Sequence, residues 1–496
     1  MIFWWNSQWS KPQNTRNPRK QKIVSRIWRI SRLFAVFGDP SFAVSVLFLL
    51  VIPLAVGAQS GALDNTFDPG AGVDQSVYSI AVQKDSNIVI GGSFSTFNSA
   101  PRTNVARLTT SGGLDPGFDP GGAVGSSFPY LNVVGIQPSG QVLLGGSFTG
   151  VVSTNLGRLN TNGAVDTAFT FKSDDTINAL AVQTNGAMVV GGFFAEVGGA
   201  ARTGLALLSG DGLLDPMFNP VFKGELFPSV FGMALQKDGK IIVGGSFTNV
   251  SGVTTTNLVR LNTDGTPDTG FKPVSFGSGQ LSSAIYAVAV DGQGRILAGG
   301  DFGTVNGLVR SNLVRFNRDG TVDGSFNSAA GTDAAINSIV TQTDGKVLVG
   351  GYFTLVNGTP RNFVARLNSN GTLDTTFDPG SGPDAVVYSL AAQADGKLLV
   401  GGSFTHFDGT PRGGIARLEN NISVPAPEMF GATLVNGVFG VSTFTLSVKN
   451  YVLEYKNSLS ESTWTALSPV PGNGDVVTLT DGAATGPQRF YRVQVQ

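Results

Sequence analysis

Between residues 63 and 418, short apolar runs alternate with turn sequences, and the alternation repeats. The last copy reads most plainly. Residues 387–393 (VYSLAAQ) form an apolar run with β-branched and aromatic members, residues 394–397 (ADGK) a turn, and residues 398–404 (LLVGGSF) a second run. Asp-Gly suits such a turn because it tolerates the positive φ that tight hairpins require. A loop follows, then a third strand at residues 415–418 (IARL), and a fourth strand-like piece of the form LDxxF appears at residues 373–377. Apolar side chains occupy both faces of the first two strands, which predicts sheets covered on both sides.

The unit recurs seven times, each copy marked by Gly-Gly: Gly91-Gly92, Gly145-Gly146, Gly191-Gly192, Gly244-Gly245, Gly299-Gly300, Gly350-Gly351 and Gly401-Gly402. The intervals between first glycines are 54, 46, 53, 55, 51 and 51 residues. A period of that size marks a repeat architecture. Glycine inside a strand marks close approach of another backbone, so these pairs are expected where neighbouring sheets press together. Phe94, Phe148, Phe194, Phe247, Phe302, Phe353 and Phe404 are expected to fill the space between the sheets. Four-stranded units set radially make a β-propeller, and seven lies within its range of blades. LDxxF-type segments begin at Leu63, Leu114, Val165, Leu214, Pro267, Val322 and Leu373. The first precedes the first blade, and the seventh blade has none after it. Residues 63–67 are therefore expected to become the outer strand of the seventh blade, closing the ring and removing an open edge.

A second regularity joins the third strand to the fourth. Arg107 stands eight residues before Asp115, and the same interval separates Arg158 from Asp166, Arg260 from Asp268, Arg315 from Asp323 and Arg366 from Asp374. Arg417 would meet Asp64 across the closure, and Leu207 takes the arginine's place before Asp215. Constant spacing predicts a structural ion pair between adjacent strands, one in each of these blades.

The elements LDxxFDPG, VxxxAVQxDGKxxVGGSFT and ARLNxDG occur in order and in register. In them the chain resembles the delta-60 repeat family of bacterial secreted and surface proteins, over residues 63–418. The first copy departs at its turn (Asp85-Ser86-Asn87), and the second has a shortened loop. The resemblance implies a propeller-like repeat domain and carries over no activity and no catalytic residue.

Composition narrows the chemistry. With 67 Gly and 14% charged residues, the chain suits short strands joined by tight turns. It has no Cys, which excludes disulfides, thiol catalysis and thiolate metal sites, and its one His, His406, cannot form a multi-histidine centre. Residues 1–58 hold 8 of the 33 basic residues and 1 of the 34 acids, so the remainder carries 25 basic and 33 acidic residues, a net of −8. Nucleic-acid binding, which needs a basic footprint, is not expected. Within the same segment the apolar run at residues 42–56 follows a basic stretch and leads to Val56-Gly57-Ala58. Residues 1–58 are expected to be a signal peptide or, alternatively, a signal anchor. The run falls short of the roughly 20 residues of a membrane span, so no membrane contact is expected after signal cleavage.

The expected fold is all-β: a seven-bladed β-propeller over residues 59–420, closed by the N-terminal strand, a linker at 421–427, and a small β-sandwich at 428–496. Strand candidates in the last part are residues 443–448, 451–455, 464–467, 476–479 and 489–495. The pattern YVLEYKNSLSESTW…RFYRVQV resembles immunoglobulin-like or fibronectin-like modules of secreted bacterial proteins.

Candidate binding residues lie in the loops. Eleven residues past the first glycine stand Arg102, Arg202, Arg310, Arg361 and Arg412, with Thr255 interrupting the series. Five arginines around one rim could clamp an anionic ligand such as an acidic polysaccharide. The alternative is that each pairs with an acid in a nearby loop, for example Asp74, Asp333 or Asp384. The loops at residues 68–74 (DPGAGVD) and 378–384 (DPGSGPD) offer oxygen ligands for Ca²⁺ but match no established calcium loop, and Asp-Pro-Gly is a good turn by itself. No nucleophile elbow and no catalytic constellation is visible. The chain is thus expected to be a monomeric, non-enzymatic binding or structural scaffold, secreted or at the cell surface, that presents one loop face to a protein or glycan. The alternative function is a carbohydrate-active lyase or hydrolase built on a propeller.

Overall fold

The structure, a computed structural model, describes residues 59–495 apart from 122–123, 151, 225–226, 278–282, 327–330, 421–428, 436, 446–449, 459–460, 462, 473–475 and 485–488. The expected signal segment and the linker at 421–427 lie outside the described residues.

Seven antiparallel sheets of the same plan follow one another. In the first, the inner strand Val77–Val82 pairs with Ile88–Gly92, which pairs with Val105–Leu108. In the seventh, the corresponding strands are Val387–Ala392, Leu398–Gly402 and Ile415–Leu418. Each inner strand packs against the inner strands of both neighbouring blades, and the seventh packs against the first, so the strands form a closed ring. Backbone amides also reach serines of the adjacent inner strand: Ile80 N donates to Ser389 Oγ, Val134 N to Ser79 Oγ and Leu390 N to Ser338 Oγ.

The fourth strand contracts to a single bridge per blade. Leu114 bridges Leu108, Val165 bridges Leu159, Leu373 bridges Leu367, and Leu63 bridges Leu418 across the closure. The cause is the next residue. The carboxylate of each following Asp accepts the amide two residues on, as Asp374 accepts from Thr376 N at 3.0 Å and Asp115 from Gly117 N at 2.8 Å. This Asx turn bends the chain away before a ladder can grow. The closing segment is held further by Asp64 N donating to Arg417 O and Gly61 N to Glu419 O.

The two glycines of each pair serve different neighbours. A Cβ on the first would meet the inner strand of the next blade: Val134 Cγ1 at 2.6 Å from Gly91, Val387 Cγ1 at 2.5 Å from Gly350, and Val77 and Ile80 of the first blade at 3.0 Å from Gly401. This is the expected place where sheets press together. A Cβ on the second would meet a carbonyl oxygen at the start of its own inner strand or just before it, for example Ser229 O at 2.0 Å from Gly245 and Ser76 O at 1.9 Å from Gly92. That carbonyl is brought close by a β-bulge. Val77 pairs with Gly92 but Ser79 with Gly91, so Tyr78 is an extra residue in the inner strand. The same shift occurs at the same register in all seven blades.

The inter-blade phenylalanines are buried, with Phe94 at 1% and Phe353 at 0% exposure, among Val, Ile and Leu of two adjacent sheets. Each such side chain stabilises by roughly 1.5–3 kcal/mol through burial. The C-terminal part forms two sheets. One holds Met429–Val435, Val438–Phe444 and Val476–Asp481; the other centres Asn450–Lys456 between Phe490–Val495 and two short strands. Val441, Tyr451, Leu453 and Leu479 form its core. The strand at Met429–Val435 was not among the sequence candidates.

Candidate functional site

The arginine–aspartate layer lies on the outer part of the blades. Arg107 Nε donates to Asp115 Oδ2 at 2.7 Å, and equivalent contacts of 2.6–2.8 Å join Arg158 to Asp166, Arg260 to Asp268, Arg315 to Asp323, Arg366 to Asp374 and Arg417 to Asp64. Each guanidinium lies over the phenylalanine of its LDxxF segment at 4.5–4.9 Å. Each also reaches the next blade or the turn after it. Arg107 Nη1 donates to Thr161 O, Arg315 Nη1 to Ser369 O, and Arg417 Nη1 to Thr110 O of the first blade. Lysines of the Asp-Gly-Lys turns join three of the carboxylates: Lys240 at Asp268, Lys346 at Asp374 and Lys397 at Asp64. Burial pushes the Asp268 carboxyl up, but hydrogen bonds from Lys240, Gly270 N and Arg260 together outweigh it and hold the group at about 2. Asp64 and Asp374 are lowered further, against the same effect of burial, by their lysine and threonine partners and by arginine. These groups are occupied by one another.

The five rim arginines are not brought together. Arg102, Arg202, Arg310, Arg361 and Arg412 each donate Nη1 to the carbonyl of the preceding residue. Arg202 Nη2 also donates to the carbonyls of Asp215 and Pro216, and Arg412 approaches Asp68 at 3.6 Å. Among the described residues no hydrogen bond or ion pair joins one of them to another. They also do not pair with Asp74, Asp333 or Asp384. Those acids instead hold the ribbon that follows the second strand. Asp74 accepts from Ser95 N and Thr96 N, Asp333 from Thr354 N and Leu355 N, and Asp384 from Thr405 N. His406 Nδ1 lies 3.2 Å from Asp384 Oδ2 in the same ribbon. In the two Asp-Pro-Gly loops, Asp68 and Asp378 accept the amides of Gly70 and Gly380 in Asx turns. No group of three or more His, Asp or Glu fit to hold a metal occurs among the described residues.

The bulges build a different site. Their extra residues are Tyr78, Asn132, Asn178, Phe231, Tyr286, Asn337 and Tyr388, one per blade, each thirteen residues before the first glycine. A bulge turns its extra side chain out of the normal alternation, and these side chains converge. Tyr78 packs edge-on against Tyr388 at 5.0 Å, and Tyr388 against Tyr352 at 6.1 Å. On another side Phe231 packs edge-on against Tyr286 at 5.5 Å and Phe193 at 5.7 Å. Between these groups Asn132 Nδ2 donates to Asn178 Oδ1 at 2.7 Å. Asn178 Nδ2 is shielded from solvent and has no partner in the structure. Asn337 Nδ2 donates to Val387 O.

The residue after Gly-Gly adds Ser93, Phe193, Asp301, Tyr352 and Ser403 to this end of the ring. Ser93 Oγ lies 3.3 Å from Tyr78 Oη, and Ser76 Oγ 3.2 Å from Ser403 Oγ. Burial, a hydrogen bond with Tyr388 and the nearby phenols Tyr388, Tyr286 and Tyr78 push Tyr352 up to about 12. Burial and Asp301 raise Tyr286 in the same direction. Yet the rings are not sealed off: Phe193 is 42%, Tyr352 46% and Tyr130 38% exposed. A cavity of about 600 Å³ opens beside them, lined by Tyr78, Ser93, Asn104, Pro129, Tyr130 and Asn132. We call this the mouth of the ring. It lies on the face that carries the loops after the second strands.

Sequence reasoning singled out the rim arginines and missed the mouth. A signal was present: a fixed offset from Gly-Gly at which only Tyr, Phe and Asn occur. Its meaning depends on the bulge, which apolar patterning does not reveal.

Comparison with known proteins agrees with this architecture. Seven segments, residues 83–118, 137–169, 183–218, 236–271, 294–326, 342–377 and 393–421, match a family described as "Domain of unknown function (DUF5122) beta-propeller". The match supports a repeat β-propeller family and does not carry the delta-60 name. No curated protein is matched by the sequence. Among solved structures, the chain is similar to an exo-β-1,3-galactanase from Phanerochaete chrysosporium with galactose, at 12% identity and TM-score 0.24, over 88% of this chain and 98% of that one. A variant of that galactanase with β-1,3-galactotriose gives 10% identity and TM-score 0.27, over 88% and 98%. A further glycoside hydrolase gives 12% and 0.23, over 88% and 97%. The expectation of a non-enzyme is corrected by this finding: these solved structures are enzymes, and the non-enzymatic reading is not carried forward. At such identities and TM-scores the likeness assigns no reaction and no catalytic residue to this chain.

Proposed function

We propose that this repeat β-propeller is a binding scaffold of the cell exterior that takes a glycan at the mouth of its ring. The observation that carries the reading is the bulge at one register in all seven blades. A bulge gives up regular pairing, and here the gain is a ring of partly exposed aromatic, amide and hydroxyl groups on one face. A recessed site with apolar walls and a few convergent polar groups suits a small or chain-like ligand better than a flat protein surface. Export is supported by the N-terminal segment, and the cysteine-free composition is compatible with it. The C-terminal sandwich would serve as spacer or attachment.

Glycan-array binding by residues 59–496 tests the proposal. Three proteins are compared: the unaltered chain, Tyr78→Ala/Tyr388→Ala, and the variant with Arg102, Arg202, Arg310, Arg361 and Arg412 all changed to Ala. Binding lost by the mouth variant and kept by the arginine variant is expected. The reverse pattern would move the site to the rim, and an array without binding would overturn the glycan reading. Release of new reducing ends from a bound glycan would assign the carbohydrate-active enzyme instead.

A further inference from the structure

The mouth is not uniform around the ring, and its asymmetry indicates what kind of glycan it takes. Tyr78, Tyr388 and Tyr352 gather where the seventh blade meets the first and the sixth. Phe193, Phe231 and Tyr286 gather across the third, fourth and fifth blades. The amides of Asn132 and Asn178 fill the interval on one side, and Asn337 stands in the other. We propose that these are two aromatic platforms that hold a neutral polysaccharide in two stacked subsites, with the asparagines binding hydroxyls between them. This rests on the mouth being the binding site.

Three features select a neutral sugar chain. Aromatic faces stack on the C–H faces of sugar rings by burying apolar area and demand no charge. Carboxamides donate and accept together, as hydroxyls require, and the shielded Nδ2 of Asn178 still lacks an acceptor. The charge at the mouth is also wrong for an acidic ligand. Of the residues at the bulges and after Gly-Gly, Asp301 alone is charged, and no Lys or Arg occupies either register. An acidic polysaccharide would bring carboxylates to two registers that hold one carboxylate and no cation, which costs desolvation without return. The rim arginines lie outside both registers, and each donates Nη1 to the carbonyl of the residue before it.

The test is titration calorimetry of residues 59–496 with three classes of soluble polysaccharide: neutral (laminarin, galactan, xyloglucan, dextran), acidic (polygalacturonate, hyaluronate) and basic (chitosan). The variants are Tyr388→Ala, Phe231→Ala, Asn178→Ala and the conservative Tyr388→Phe. The expected result is binding to a neutral polymer, unchanged between roughly 50 mM and 0.5 M salt. Affinity falls about tenfold on loss of either platform, and Tyr388→Phe keeps most of it. Thermal melts of each variant separate lost binding from lost fold. Binding of an acidic or basic polymer alone, sensitive to Tyr388→Ala, would overturn the neutral-ligand inference and leave the mouth as the site. Neutral binding that neither platform variant weakens would overturn both. Sensitivity to one platform only would overturn the two subsites, and a panel without binding would overturn the proposal.

Discussion

Alanine at the two glycines of one blade should have unequal consequences. Take Gly91→Ala and Gly92→Ala. Neither position has positive φ, so backbone strain is not at issue. At Gly91 the new Cβ would lie 2.6 Å from Val134 Cγ1. That neighbour is the end of a side chain and can give way, at an overpacking cost of about 1–2 kcal/mol. At Gly92 it would lie 1.9 Å from Ser76 O and 2.9 Å from Ser76 C. This carbonyl, just before the inner strand, is fixed by the hydrogen bond it accepts from Ser93 N, so the chain entering the inner strand must withdraw. Withdrawal endangers the hydrogen bond from Ser93 N to Ser76 O, 3.1 Å, and the pairing of Val77 with Gly92. Two lost hydrogen bonds at about 1 kcal/mol each, added to overpacking of about 1–3 kcal/mol, make about 3–5 kcal/mol. The gain from restricting the unfolded chain, about 0.4–1 kcal/mol, applies to both variants and cancels in the comparison. Urea unfolding of residues 59–496 measures the difference. Equal costs, or a larger cost at Gly91, would refute the assignment of the second glycine to the bulge. Glycan affinity gives an independent check, because withdrawal at Gly92 displaces Tyr78 while Gly91→Ala leaves the mouth in place.

Three further outcomes follow from the outer layer and the rim. Arg366 is 1% exposed and bound to Asp374, so Arg366→Ala leaves a buried carboxylate short of a partner and should cost about 3–5 kcal/mol by denaturant unfolding; a cost below 1 would show the layer to be replaceable. Asp268 is held at about 2, below its ordinary 3.8, so its contribution is present above the unfolded value and lost as pH falls from about 4 through about 2; the drop in melting temperature across that window should be smaller in Asp268→Asn. At the rim, Arg202→Ala removes donation to three carbonyls and should cost about 1–2 kcal/mol, whereas Arg310→Ala should stay within about 0.5; similar values for the two would contradict their different surroundings.

The repeat period, the Gly-Gly pairs and the LDxxF offset made the ring readable from the sequence, because each of these constraints is local and recurs at fixed spacing. The register of Leu63 against Leu418 could be read for the same reason: the unit preceding the first blade and the one absent after the last are the same unit. The outer strand was over-read. LDxxF has strand-forming ends, but the Asp-centred turn wins over the ladder after one bridge. The contacts of the rim arginines were not legible from their spacing. These arginines neither converge nor pair with Asp74, Asp333 or Asp384, because those carboxylates lie within reach of backbone amides in their own ribbons. Spacing fixes where such a residue sits in the blade and leaves its side chain free to choose the nearest acceptor.

The outer layer and the mouth differ in a way that bears on function. At the Arg–Asp–Phe positions, six blades hold the same three residues in the same contact, and the third, with Leu207, is the exception. The task there is identical in every blade: to fasten the outer edge and reach the next turn. At the bulge the backbone is equally uniform, but the residues are three tyrosines, three asparagines and one phenylalanine. Packing cannot be the common task, since Asn and Tyr differ too much in volume and polarity to fill one space. A position held fixed in space while its chemistry varies from blade to blade defines a surface that is unlike itself around the axis. A symmetric ring needs such variation only where it meets something that is not symmetric. Exchanging Asn132 and Tyr78 gives up the Asn132–Asn178 hydrogen bond and the Tyr78–Tyr388 contact, about 1–3 kcal/mol together, and should abolish glycan binding in protein that thermal melts show to be folded; if binding survives the exchange, the ring's asymmetry does not select the ligand.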